Sequence, residues 1–449
     1  MSTADNLETV AAIEQALIKR WPENKIEPTL DRIIALTDLL GSPQLSYPTI
    51  HIAGTNGKTS TSRMIDALMS ELGYRTGRFT SPHLESFLER ISIKGHAIDP
   101  AEFIKNYHDI ALYLDLIDSK QPHQISYFEA LTALAFVAFA EHPIDVGVIE
   151  AGLGGEWDAT NVVQSQVSVM TPIGFDHMDY LGNTLEEIAQ TKSGIFKPES
   201  NVVLAAQPPE VAKVLMAKVA KVSAIAFREG IEFSVANRAI AVGGQFISIN
   251  GLSGLIEDIF LPLYGAHQAN NAAVALAAVE AFAGVALDPE LIRTAFSKVT
   301  SPGRCEVIHR DPTVIIDAAH NPHGATAIAT TINNEFDFET VIGVVAVLAD
   351  KDASGILAEL SRVVDYLIIS QSSSVRALPA NELAKLAEKF FKPEQLEVIP
   401  ELRGAITYAT EKANLSNQVN DGVTAVLITG SVVTAGEARS IVRNIFGGN

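Results

Sequence analysis

One stretch constrains this chain more than any other: Pro48 to Thr61, reading PTIHIAGTNGKTST. Thr49-Ile50-His51-Ile52 is short, apolar and β-branched, which predicts a strand. Ala53-Gly54-Thr55-Asn56-Gly57-Lys58-Thr59 breaks that run, and a helical pattern follows from Ser60 to Leu72. Strand, glycine turn and helix in that order make a cradle for an anion. The loop N–H groups and the helix N-terminus face it, and Lys58 adds a positive charge. The spacing is not that of a Walker A loop. There a glycine stands five residues before the second one; here Ile52 holds that place, and Gly54 precedes Gly57 by three. Two readings stand at this point. One is a nucleotide-phosphate site formed by Gly54, Thr55, Asn56, Gly57, Lys58, Thr59 and Ser60. The other is a plain glycine-rich turn from strand to helix.

At 449 residues the chain is too long for one hydrophobic core, so two or three domains are expected. Its net charge of −20 argues against general binding to nucleic acid or to an anionic membrane. Local patches still leave room for small anionic substrates. A single cysteine, Cys305, excludes an internal disulfide and a cysteine cluster for zinc. The longest strongly apolar stretches, 130–140 and 341–349, are too short to span a bilayer. The opening MSTADNLETV lacks the basic and apolar regions of a signal peptide, so a cytoplasmic location is expected.

Along the chain, residues 5–20 and 30–40 carry helical spacing, the first ending at Trp21-Pro22. Strands are expected at 74–80, 86–93, 145–151, 166–171 and 202–205, with helices at 100–118, 126–140 and after the cap-like Thr184. Strand and helix thus alternate through a nucleotide-type α/β part, 45–220. Residues 222–263 break into short alternating pieces split by glycines and read as a β-rich extension. Helices are expected over 272–283 and 289–297. Thr300-Ser301-Pro302-Gly303-Arg304 reads as a turn-forming joint, dividing a first domain, 1–300, from a second, Rossmann-like α/β domain, 301–449.

Polar residues just past strand ends lie where open α/β sheets bind ligands. Ser81, Glu150 and His177 all fall there. With phosphate oxygens and water they make a shell for Mg²⁺ or Mn²⁺. The alternatives are a turn residue at Ser81 and a hydrogen-bonded loop residue at His177. Glu150, closing an apolar strand, needs a partner, which a metal or Lys58 would supply. Lys192 reads as a solvated helix residue. Asp317 and His320 follow the first expected strand of the second domain. Arg304 at the joint is placed either to clamp a phosphoryl group in a cleft between domains or to make an interdomain salt bridge.

Eight segments, in order, then define a resemblance: HIAGTNGKTS (51–60), SPHL with ERI (81–91), SYFEA (126–130), EAGLGGEWDATN (150–161), FDHMDYLGNTLEEIAQTKSGIFKP (175–198), GAHQANNA (265–272), SPGR (301–304) and DAAHNPHG (317–324). Together they are similar to the Mur-ligase superfamily, and within it to the folylpolyglutamate and dihydrofolate synthases. The resemblance implies ligases that activate a carboxylate with ATP to an acyl phosphate, which an amino acid's amine then attacks. The acid would be dihydropteroate or a reduced folate, and the amine L-glutamate. It implies that Lys58 and its loop hold the ATP phosphates, that Ser81 and Glu150 bind one Mg²⁺, and that His177 binds a second. It makes Lys192 a carbamylated lysine that helps organise the second metal, which replaces the solvated reading. It further implies Asn271 on the adenine side, Arg304 on phosphate, Asp317 and His320 as ATP contacts, and Phe128, Asp158 and His83 on the acid substrate. A monomer acting on small molecules, without nucleic acid or membrane partners, is expected. The chain departs from the family pattern at Glu156, where an arginine is usual, and at Thr59, where a glycine is usual. Thr59 is left open between metal ligand, phosphate contact and helix start. A muramyl-peptide ligase and a non-ligating P-loop NTPase are the competing readings.

Overall fold

The computed structural model describes residues 8–21, 27–419 and 422–447. Leu7 and Pro22, which enter the expected first helix and its stop, lie outside the described residues. The chain divides into two compact units. One comprises Met1–Arg238, Phe246–Leu261 and Ala269–Val299; the other comprises Ala239–Gln245, Pro262–Gln268 and Thr300–Asn449.

The first unit is built on an eight-stranded sheet. Its strands in chain order are β1 (Thr49–Ala53), β2 (Thr76–Phe79), β3 (Ile91–Ile93), β4 (His96–Ala97), β5 (Val146–Glu150), β6 (Val167–Met170), β7 (Asn201–Leu204) and β8 (Ile225–Arg228). They lie in the order β4-β3-β2-β5-β1-β6-β7-β8. All neighbours are parallel except β3, which is antiparallel to both β2 and β4. Every residue of β1 is buried, as expected of a parallel strand covered on both faces. From β1 the chain leaves toward β2, and from β6 it leaves the opposite way, toward β7. The adjacent carboxyl ends of β1 and β6 therefore form a topological switch point, where such sheets bind ligands.

Core packing holds this frame. The helix Tyr127–Glu141 opens on a capping box between Ser126 and Glu129, and most of its side chains are buried. It packs with Phe79, Phe103, Ile110 and Leu114. Each such side chain contributes about 1.5–3 kcal/mol on burial. A buried polar contact sits on the opposite face of the sheet, between β2 and the helix Lys58–Glu71. Arg78 Nε donates to Asp66 Oδ2 at 3.0 Å, with both side chains almost fully buried. Removing one partner leaves an uncompensated buried charge. Asp66→Ala is expected to lower unfolding stability by about 3–5 kcal/mol, read as a fall in the urea midpoint.

Several expectations need correction. Only Ile91–Ile93 of 86–93 is a strand, because Glu89 accepts the N–H groups of Leu84, Glu85 and Ser86 and winds Phe87–Arg90 into a 3₁₀ turn. Ile225–Arg228, read as the start of the extension, is the edge strand of the large sheet. A helix not among those expected, Pro209–Lys221, buries Val211, Leu215 and Val219 at helical spacing. The alanine-rich helix starts at Ala266, not at 272, because Gly265 turns the chain at φ +99° before it. The remaining short pieces form a three-stranded sheet of β9 (Ser234–Ala241), β10 (Gly244–Gly251) and β11 (Gly254–Leu261), in the order β11-β10-β9.

The second unit has six strands: β12 (Glu306–Arg310), β13 (Thr313–Ile316), β14 (Thr340–Val345), β15 (Tyr366–Gln371), β16 (Leu396–Glu401) and β17 (Thr424–Thr429). Their order is β12-β13-β17-β14-β15-β16, parallel apart from β12. β12 is likewise not among the expected strands. It pairs with β13 through the tight Asp311-Pro312 connection. The helix Pro322–Glu335 packs Ile328 and Ile332 on this sheet. Among the described residues no helix is long and apolar enough to cross a membrane.

Candidate active site

The loop after β1 occupies the switch point. Gly54 has φ +149°, and a Cβ there would lie 1.9 Å from Thr171 Oγ1, so the loop passes the end of β6 with room only for hydrogen. Not all of its N–H groups face outward, as the sequence had suggested. Those of Thr55 and Asn56 donate to Pro172 O at 3.0 and 3.3 Å, and Thr55 Oγ1 links to Gly174 through both its N–H and its carbonyl. The anion-facing donors are thereby narrowed to the helix start. Gly57 is the left-handed N-cap of the helix Lys58–Glu71. Helix geometry leaves the first N–H groups after it without a partner four residues back, and the dipole there favours negative charge. Lys58 Nζ lies 3.4 Å from Thr55 O, folded over the same loop. Asn271 stands against Gly57, where a Cβ would come within 2.6 Å of Asn271 Oδ1.

Glu150 finds the partner that its burial demanded. Thr59 Oγ1 lies 3.0 and 3.1 Å from its two carboxylate oxygens. Thr59 stands in the first helical turn, and its hydroxyl donates to Glu150. Ser81 follows β2, whose Phe79 pairs with Ile149, so the register brings Ser81 level with the residues just past Glu150. A hydroxyl beside one buried carboxylate is a sparse, hard-oxygen set. Among the described residues no group of three or more His, Cys, Asp or Glu converges on a metal position. The hydroxyl on the Glu150 carboxylate is a hard-oxygen set with few protein ligands, of the kind Mg²⁺ takes, since it keeps waters and substrate phosphates as most of its ligands. The donor set therefore fits the ion.

The loop after β6 carries His177, which has φ +51° and a side chain about one-third exposed, with Nε2 3.9 Å from Asp176 Oδ1. The loop is anchored by a residue that no local sequence signal marks. Gln207 accepts from Ile173 N and donates to Thr171 O, at 3.0 and 3.1 Å. Lys192 ends the helix Leu185–Lys192, whose N-terminus is a Thr184–Glu187 capping box. Its side chain is buried, and Nζ donates to Gly54 O at 2.9 Å. The structure thus places it on the phosphate loop and not in solvent. Burial, then the charge of Lys58, pushes its amine down to about 7, against the pull of Asp176 and Asp158.

Three further residues lie along the β2 and β5 side. Phe128 packs on Phe79 with ring centroids 5.8 Å apart, and a Cβ on Gly152 would meet its ring at 2.5 Å. Asp158 is buried, and its carboxylate accepts the N–H groups of Leu153 and Thr160 and the Thr160 hydroxyl. His83 Nδ1 accepts from Arg90 Nε at 3.0 Å. Burial, then the Arg90 charge, pushes His83 down to about 4, leaving a neutral imidazole.

In the second unit, Asp317 follows β13 and accepts the N–H groups of Cys305 and Ala319, each at 2.8 Å. Burial raises its pKa, opposed by the Arg304 charge and these donors. His320 Nδ1 lies 3.0 Å from Ala318 O, and Arg304 bonds Gly303 O. Arg304, Asp317 and His320 thus cluster at one end of that sheet.

A phosphate loop at a switch point, with an acidic strand end and a buried lysine against it, is one half of a Mur-type ligase. Residues 52–279 match the family model of the Mur ligase middle domain, and residues 303–432 match that of the Mur ligase, glutamate ligase domain. Such enzymes are ATP-dependent and form C–N bonds. The chain is 48% identical over 462 residues to the dihydrofolate synthase/folylpolyglutamate synthase of Mycobacterium tuberculosis, covering 98% of this chain and 95% of that protein. It is 33% identical over 423 residues to the Bacillus subtilis protein of the same name, covering 92% and 95%. A crystal structure of Mycobacterium tuberculosis folylpolyglutamate synthase complexed with ADP and AMPPCP matches with a TM-score of 0.93 at 49% identity, over 98% of each chain. Escherichia coli FolC in complex with DHPP and ADP matches with a TM-score of 0.85 at 27% identity, over 99% and 100%. The chain belongs to the dihydrofolate synthase/folylpolyglutamate synthase family of the Mur-ligase superfamily.

Proposed function

We propose that this chain uses ATP to join L-glutamate to dihydropteroate, to reduced folates, or to both, through an acyl phosphate. The observation that carries the reading is the convergence of Thr59–Glu150 and Lys192 on one phosphate loop. Nucleotide binding alone would not need Glu150, His177 and Lys192 together. Lys58 and the helix N-terminus hold the ATP phosphates. Ser81 and Glu150 would hold one Mg²⁺, and His177 with Lys192 a second. The ions, when bound, neutralise the like charges of triphosphate and carboxylate. Arg304, Asp317 and His320 contact nucleotide, and Asn271 lies on its adenine side. Phe128, Asp158 and His83 receive the acid substrate.

Lys192 suits carbamylation. Only a neutral amine attacks CO₂, and burial lowers this one to about 7, so a substantial fraction is neutral near neutral pH. The carbamate would be an anion facing Lys58 and the second metal, so it relieves the repulsion that the bare ammonium suffers there.

Substrate-dependent ATP turnover tests the function. ADP release is expected only with both L-glutamate and a pteroate or folate acid present, and comparing dihydropteroate with tetrahydrofolate separates the two activities. Full turnover with neither acceptor would overturn the ligase reading.

A further inference from the structure

His51 is fully buried in the middle of β1, three residues before Gly54, and nothing in the proposed chemistry uses it. Its Nε2 lies 2.8 Å from Thr160 Oγ1. Thr160 in turn donates its hydroxyl and its N–H to Asp158 Oδ1, while Leu153 N–H reaches Oδ2 at 2.8 Å. An ionised carboxylate only accepts, so the single hydroxyl hydrogen of Thr160 is committed to Asp158. The hydroxyl lone pair must then accept from His51, which places the imidazole hydrogen on Nε2. Nδ1 is buried and has no hydrogen-bond partner, so it stays an unprotonated nitrogen. Burial, then the charge of Lys197, works in the same direction and keeps the ring neutral.

The result is a chain with one direction: His51 Nε2–H to Thr160 Oγ1–H to Asp158. It joins the strand that launches the phosphate loop to the loop 152–158. That loop touches both partners of the reaction site. Gly152 sits against the Phe128 ring, and a Cβ on Gly155 would lie 2.5 Å from Lys192 O. We infer that His51 and Thr160 are positioning residues, which hold the 152–158 loop in register with the phosphate loop and so align the acid substrate with the ATP phosphates. The inference rests on the proposed ligase function for what the loop contacts. The hydrogen-bond chain itself does not depend on that reading.

Thr160→Val removes the relay at nearly constant volume, and Thr160→Ser keeps it. With the valine variant, KM for the pteroate or folate acid is expected to rise about tenfold, the scale of one lost buried hydrogen bond. The dissociation constant for ATP should stay within about twofold, and Thr160→Ser should restore the acid KM. A general packing defect would move the ATP constant as well. An unchanged acid KM, a parallel loss of ATP affinity, or a serine variant as impaired as the valine one would each overturn the inference. Selective ¹⁵N-histidine NMR of the wild-type protein at pH 7 reads the relay without activity. The Nε2–H tautomer is expected for His51, and an Nδ1–H tautomer would overturn the relay even if Thr160→Val failed to fold. A wild-type enzyme inactive with every pteroate and folate acid would sink the functional reading, and the tautomer would still decide the hydrogen-bond chain.

Discussion

Lys192→Ala is expected to lower glutamate ligation by at least about 10²–10³-fold while leaving the ATP dissociation constant within a few-fold. The asymmetry follows from where Nζ lies. It bonds the carbonyl of Gly54, on the inner side of the loop, whereas the donors facing a phosphate belong to the helix start at Lys58 and beyond. Losing the amine removes one hydrogen bond from the loop and every chance of a carbamate. The same argument sets the dependence on CO₂ and pH. With its amine pushed down to about 7, the neutral fraction of Lys192 grows as pH rises toward that value and levels off above it. Activity in CO₂-depleted buffer should therefore fall, recover on adding bicarbonate, and recover less completely at pH 6 than at pH 8. Equal loss of ATP binding and ligation in the alanine variant, or indifference to bicarbonate, would remove the carbamate from the mechanism.

Gly54→Ala carries the second large effect. Its φ of +149° disfavours any side chain, and the added Cβ would meet Thr171 Oγ1 at 1.9 Å and Thr171 O at 2.9 Å. The threonine hydroxyl can be deleted, but the backbone oxygen cannot move without breaking the pairing of β1 with β6. Turnover should fall by about 10²-fold or more, because displacing the loop misplaces every group on it. The double variant Gly54→Ala, Thr171→Ala should not recover. Gly73→Ala is the control. Gly73 also has positive φ, +90°, but nothing lies within 4 Å of its Cβ position. It should cost about 1–2 kcal/mol of stability and leave turnover intact. Recovery in the double variant would show that the side-chain clash alone excludes alanine.

How much of this was legible beforehand depends on the kind of signal. The strand-turn-helix at 48–61 and the polar residues at strand ends were readable because period and glycine punctuation are local properties. Lys192 was not readable as a functional residue from its helix alone, since a lysine in an amphipathic helix ordinarily faces water. Only the motif around it marked it out. The helix Pro209–Lys221 was missed despite clear spacing, and β12 was missed because its pairing with β13 is what makes it a strand. The loop N–H groups of Thr55 and Asn56 read as anion donors, although Pro172 O, in the loop after β6 and more than a hundred residues away, takes them.

By itself the sequence determined the alternation of strand and helix, the nonstandard glycine spacing, and which side chains stand at strand ends. These follow from backbone sterics and hydrophobic period, and both act over a few residues. The tertiary structure alone decided partners. It gave Glu150 to Thr59, Lys192 to Gly54, Gln207 to the loop of His177, and His51 to Thr160. Buried polar groups must be satisfied, but which donor satisfies which acceptor depends on strand order and register, which bring distant segments within 3 Å.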